Sequence, residues 1–202
     1  RSTPLYSSAA SDVYKRQILY SMPNIIDVTN RIGVEVTATL ENSSSDLYYQ
    51  ETVLLYSLVE NLLKFLVATK DCWDETCRKV DKAVIKEKKT GKTVPDEELK
   101  VDFEVLRSNA KELNFNNTIN RACSLKLITE EQKKKLHTFR DERNNLVHQL
   151  YLFDNRNNPT IMRGKLLEAE AITKELIDIF EDLLYDQIGF SSDDLPSVFE
   201  VL

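Results

Sequence analysis

Three residues in the segment RNNLVH could act together on a phosphodiester: Arg143, Asn144 and His148. A guanidinium offers a rigid fork of donors that matches a phosphate. An imidazole changes charge near neutrality and so can take up and return a proton. An amide can orient either partner. On a helix turning about 100° per residue, with Leu136 at zero, Phe139, Leu146 and Leu150 fall at ~300°, ~280° and ~320°, and Val147 at ~20°. Arg143 falls at ~340°, inside that apolar stripe, while Asn144 and His148 lie at ~80° and ~120°. Arg140 and Tyr151, at ~40° and ~60°, line the same flank as candidate substrate contacts.

An arginine on a buried face costs several kcal/mol unless it is paired or left in a wet crevice. The pattern therefore suits an interface or cleft. An ordinary surface helix, with the arginine stem lying on apolar neighbours and its head in water, accounts for it as well. Between Arg121 and Arg143 the chain has seven basic residues, Lys135 among them, against four acidic ones. Such a local excess can gather phosphates, or it can pair with nearby glutamates on a solvated face. His137 shares almost the azimuth of His148 but lies about 16 Å away along the axis, too far to join it.

The elements that must carry these residues read as helices. Thr129 and Gln132 have capping-box spacing and open the motif helix, which is expected to reach about Leu152. Asn24–Leu40 alternates in part like a strand, but with no partner strand in view the reading is helix. Asp46 caps an amphipathic helix through about Ala68, with Leu47, Leu54, Leu55, Leu58, Leu62, Phe65 and Leu66 on one stripe. A third helix is expected from about Asp71 to Lys89, stopped by Gly91. Pro95 with Asp96, Glu97 and Glu98 opens another, running to about Leu113. Asn117 starts a short helix ending near Leu127. After an Asn-rich loop, Asp154–Pro159, a final amphipathic helix carries Ile161, Leu166, Ile172, Leu176, Ile179, Leu183 and Ile188. The fold class expected is all-α, a bundle of about five to seven helices.

Composition agrees with that class. Four glycines and five prolines in 202 residues leave few turn signals for a hairpin-rich β fold. At 42% hydrophobic and 30% charged the chain can build a core, and no continuous apolar run reaches the roughly 18 residues of a membrane span. Cys72, Cys77 and Cys123 are read as reduced thiols of a cytoplasmic protein, since no second ligand pair gives them zinc-site spacing.

Residues 1–17, RSTPLYSSAASDVYKRQ, are set apart. DVYKRQ resembles a translated transposon-end adaptor of the kind used to prepare sequencing libraries, and the true start is expected at Met22. The expected division is 1–21 outside the fold, 22–189 as one helical domain, and 190–202 as an acidic tail. Without residues 1–17 the net charge moves from −6 to −8. Charge of that sign argues against indiscriminate coating of nucleic acid but leaves room for a local basic site.

RNNLVH resembles the R-x4-H signature, with a polar residue after the arginine, of HEPN domains. The setting is similar too: a helical domain, a long early helix containing SLVENLLKFLVA, and the motif late in the chain with one more amphipathic helix after it. Ten arginines and two histidines give about 0.1 chance matches to R-x4-H, and requiring the asparagine lowers this to roughly 0.007. The resemblance implies a HEPN-like bundle and an endoribonuclease, by role a toxin or phage-defence effector, that needs no metal or other cofactor. It implies a homodimer whose two motifs meet across the interface, with RNA as substrate. Arg143 would hold the scissile phosphate, His148 would act as general acid and base, and Asn144 would orient them. A nucleotidyltransferase-type antitoxin is a further implied partner. The tyrosine that such partners modify stands two positions after the histidine, where this chain has Leu150, with Tyr151 one residue later. On a helix that one-residue shift moves the hydroxyl by about 100°.

Overall fold

The computed structural model describes residues 15, 23–148 and 158–191. Among them are seven α-helices and no strand: α1 (Pro23–Glu41), α2 (Tyr48–Thr90), α3 (Asp96–Leu99), α4 (Phe103–Glu112), α5 (Phe115–Ser124), α6 (Glu130–His148) and α7 (Pro159–Asp182). The last continues into a π-helical turn, Leu183–Ile188, closed by Gly189 at φ +78°. The all-α expectation holds. Tyr151, the expected extension of the motif helix to Leu152 and most of the Asn-rich loop lie outside the described residues, as does the chain beyond Ser191. Of residues 1–21 only Lys15 is described, its amine donating to the Gly189 carbonyl.

One helix, α2, organises the rest. Its 43 residues extend roughly 65 Å. The apolar spacing predicts a break near residues 69–70, and the chain instead runs straight through. No Pro or Gly interrupts 48–90, the Thr76 hydroxyl donates to the Cys72 carbonyl at 2.9 Å, and Thr69 is buried. Loss of the apolar stripe after Cys72 marks where α2 leaves the core, not where it ends. It stops at Gly91, whose φ of +66° closes the helix with its N–H on the Glu87 carbonyl. By length and composition α2 could cross a membrane, but 67% of its apolar window is buried within the fold.

The helix expected from Pro95 to Leu113 is two. Lys100 turns extended, Val101 is buried, and Asp102 caps a fresh start by accepting from the Val105 N–H at 3.2 Å. The other starts follow local chemistry: Asn114 caps α5, and Asn158 with Pro159 opens α7.

The core lies where α1, α4, α5, α6 and α7 cover the first half of α2. Phe65 is its hub, edge-on to Phe103 of α4 at 5.8 Å and to Phe180 of α7 at 5.6 Å between ring centroids. Phe190, assigned from sequence to the tail, is 5% exposed, its N–H on the Leu184 carbonyl, so the packed chain continues one residue further than expected.

Candidate functional site

α6 is held in place by both polar and apolar means. At its start the capping box forms as spaced: the Thr129 N–H donates to Gln132 Oε1 at 2.8 Å and the Gln132 N–H to Thr129 Oγ1 at 3.1 Å. Leu136, Phe139 and Leu146 are 3%, 1% and 0% exposed, so these three members of the stripe the helical wheel assigned are buried. Phe139 stands edge-on to Tyr56 of α2 at 4.5 Å. Burial pushes the Tyr56 hydroxyl well above the usual phenol range, with Glu142 and Glu168 adding to it. Lys165 of α7 pairs with Glu142 at 2.8 Å.

Arg143 sits within the stripe and is paired. Its Nη2 is 3.2 Å from Glu60 Oε2 on α2, and the two side chains keep 25% and 17% of their exposure. The other carboxylate oxygen, Glu60 Oε1, takes Lys64 at 2.9 Å. One carboxylate thus serves two cations, one oxygen each. This answers the desolvation problem posed by an arginine on an apolar face within a single protomer. Arg143 Nη1 also reaches Asn144 Oδ1 at 3.4 Å, so these two predicted residues are together. His148 ends the described part of α6, about 7.5 Å along the axis from Arg143.

The other predicted contacts diverge. Arg140 turns towards α5, where its guanidinium reaches Asn116 and lies 3.1 Å from His137 Nδ1, and it also pairs with Asp141. The His137 ring is held below the usual imidazole range, first by burial and then by the positive charges of Arg140 and Lys133. Lys135 turns towards α7 and pairs with Glu175 at 2.7 Å, beside Gln132 at 2.8 Å. Burial would raise the Glu175 carboxyl, but those two donors outweigh it and hold the group below the usual range. Arg143 with Asn144, Arg140, and Lys135 therefore point to three different neighbours.

Glu60 is the residue that sequence reasoning passed over. Its signal was present: a lone carboxylate inside SLVENLLKFLVA, flanked by Leu58, Val59, Leu62 and Leu63, all of them buried. An acid stranded in an apolar run on one helix and a base stranded in an apolar stripe on another invite pairing. No disulfide joins the three cysteines, of which Cys72 is buried and Cys77 exposed. Comparison with protein-family models, curated proteins and solved structures finds no match to the chain.

Proposed function

We propose that this chain is a HEPN-type endoribonuclease that cleaves RNA without a metal, as a homodimer. The observation that carries the reading is the Arg143 guanidinium bound to a carboxylate, in a half-buried seam, five positions before a histidine on the same helix. Glu60 occupies it as an internal oxyanion, and a scissile phosphate would take the same place with more charge and more acceptor oxygens. Arg143 then stabilises the charge developing on the phosphorus oxygens. His148 removes the proton from the ribose 2′-OH or supplies one to the 5′ leaving oxygen. Asn144 orients the guanidinium or the imidazole. The products are a 2′,3′-cyclic phosphate and a 5′-OH end. A toxin or defence role in the cytoplasm, countered by a nucleotidyltransferase-type partner, belongs to the same proposal.

The test is cleavage of single-stranded RNA with chelator present. Arg143→Ala and His148→Ala are each expected to lower kcat roughly 10²–10⁴-fold, the range for losing a positioned acid–base or oxyanion group. Undiminished cleavage by both variants rejects the reading. A second reading, a HEPN-like module that only binds a partner, is favoured by one observation: Glu60 already sits on the Arg143 fork that a phosphate would need. It predicts intact RNA with wild-type protein at every pH from about 6 to 8, the window in which a histidine titrates.

A further inference from the structure

Away from α6, a groove of about 340 Å³ opens between α1, α2 and α4. Ile25, Val28 and Ile32 of α1 form one wall, and Leu54, Leu58 and Phe65 of α2 form the floor. Val28 and Leu54 remain 37% and 40% exposed, so apolar surface is left uncovered. The opposite wall is cationic, made by Lys64, Arg107 and Lys111. These stand close together: the Lys64 amine reaches the Lys111 carbonyl at 3.3 Å, and Arg107 is one turn before Lys111. Their positive charge is only partly answered. Glu60 is shared between Lys64 and Arg143, Arg107 meets an exposed Glu104 at 3.4 Å, and Lys111 has no ion pair among the described residues.

An apolar trough with a cationic wall selects a ligand that is apolar along its length and anionic at one point. The place of the charge decides between kinds of ligand. The cations gather beside Phe65, while Leu54 lies about 15 Å from Lys64 along α2, which matches one anionic head and one apolar tail better than an acidic helix with charge along its length. The trough from Leu54 to Phe65 gives a single alkyl chain roughly 17 Å of length. We propose that the groove between α1, α2 and α4 is a binding site for a single-chain amphiphile with an anionic head, a long-chain carboxylate, whose tail lies on Val28, Leu54, Leu58 and Phe65 and whose head is held by Lys64, Arg107 and Lys111. The site does not depend on the nuclease reading.

Titration calorimetry of the full chain with decanoate tests it, alongside decylammonium, which has the same tail and the opposite charge, and acetate, which lacks the tail. Saturable binding of decanoate, with acetate and decylammonium at least roughly tenfold weaker, is the expected result. Val28→Glu and Lys111→Glu alter exposed positions on opposite walls and should leave the thermal unfolding profile in place. Each should weaken decanoate roughly tenfold or more, since attraction or apolar contact becomes repulsion. Equal binding of decylammonium, wild-type affinity in both variants, no saturable decanoate binding, or capture of an acidic amphipathic peptide without decanoate binding would each overturn the proposal.

Discussion

The Glu60 carboxylate joins Arg143 and Lys64, at 3.2 and 2.9 Å, and so ties the motif helix to the long helix through one acid. The pair is neither exposed nor dry. Desolvation offsets much of its attraction, and its main weight is negative: removing either partner leaves a partly desolvated charge unanswered.

Glu60→Gln is therefore expected to lower the unfolding free energy by about 1–2 kcal/mol. Thermal unfolding should read this as a fall of roughly 2–4 °C per kcal/mol in a chain of this size. The same variant separates two roles for Glu60. On the proposed nuclease reading, a carboxylate that competes with phosphate for Arg143 means that KM for RNA falls and kcat holds. A rise in KM would make Glu60 a positioning residue for the guanidinium.

The seam also shows what a sequence can and cannot carry. Stops and starts set by a few neighbouring residues were legible in the Thr129–Gln132 box and the left-handed Gly91. Others were not: α2 starts at Tyr48 with no side-chain cap, where Asp46 was expected to cap it, and Pro159, read as loop, is the first residue of α7. The oddity of Arg143 was legible, because azimuth on a helix is local arithmetic. Its partner was not, since Glu60 meets Arg143 only once α2 and α6 pack, and nothing local fixes that register. The missed continuity of α2 has a related cause. A buried first half followed by an exposed remainder mimics two helices when only the apolar pattern is read, though the backbone hydrogen bonds need no such division.

The capping box gives a second prediction. Thr129→Ala removes the acceptor for the Gln132 N–H and should cost about 1 kcal/mol. Thr129→Ser, which keeps the oxygen, should cost much less. Urea midpoints of the two variants check this; equal losses would mean that the threonine methyl, not the cap, holds the turn.

Phe139 packs into the α2–α6 contact, 1% exposed and edge-on to Tyr56. Phe139→Ala should lose about 3–5 kcal/mol through lost burial and an unfilled cavity. Phe139→Leu, which keeps much of the volume, should lose under about 2 kcal/mol. On the proposed nuclease reading, and because Arg143 lies on the next turn, RNA cleavage by the leucine variant should fall less than cleavage by Arg143→Ala at a temperature where both are folded. Chemical denaturation beside the RNA assay would expose the opposite order.

His137 sets the last prediction, a pH dependence. Its Nδ1 faces the Arg140 guanidinium at 3.1 Å, so the ring accepts there and a proton on Nδ1 would meet a fixed cation. Burial first, then Arg140 and Lys133, hold it below the ordinary value of 6.5, with Asp141 opposing them. The unfolded chain therefore binds this proton more readily than the folded one. Stability from this site is full above pH about 6.5 and declines as pH falls towards the folded value. Glu175, depressed by Lys135 and Gln132, loses its contribution only in a more acidic window, as pH falls through its own lowered value. His137→Gln keeps a neutral acceptor beside Arg140 and removes the titration. Between pH of about 7 and about 5 the variant should lose less unfolding free energy than wild type, with the two closest at the upper end. Parallel curves across that range would show that His137 protonates as easily in the folded chain as in the unfolded one.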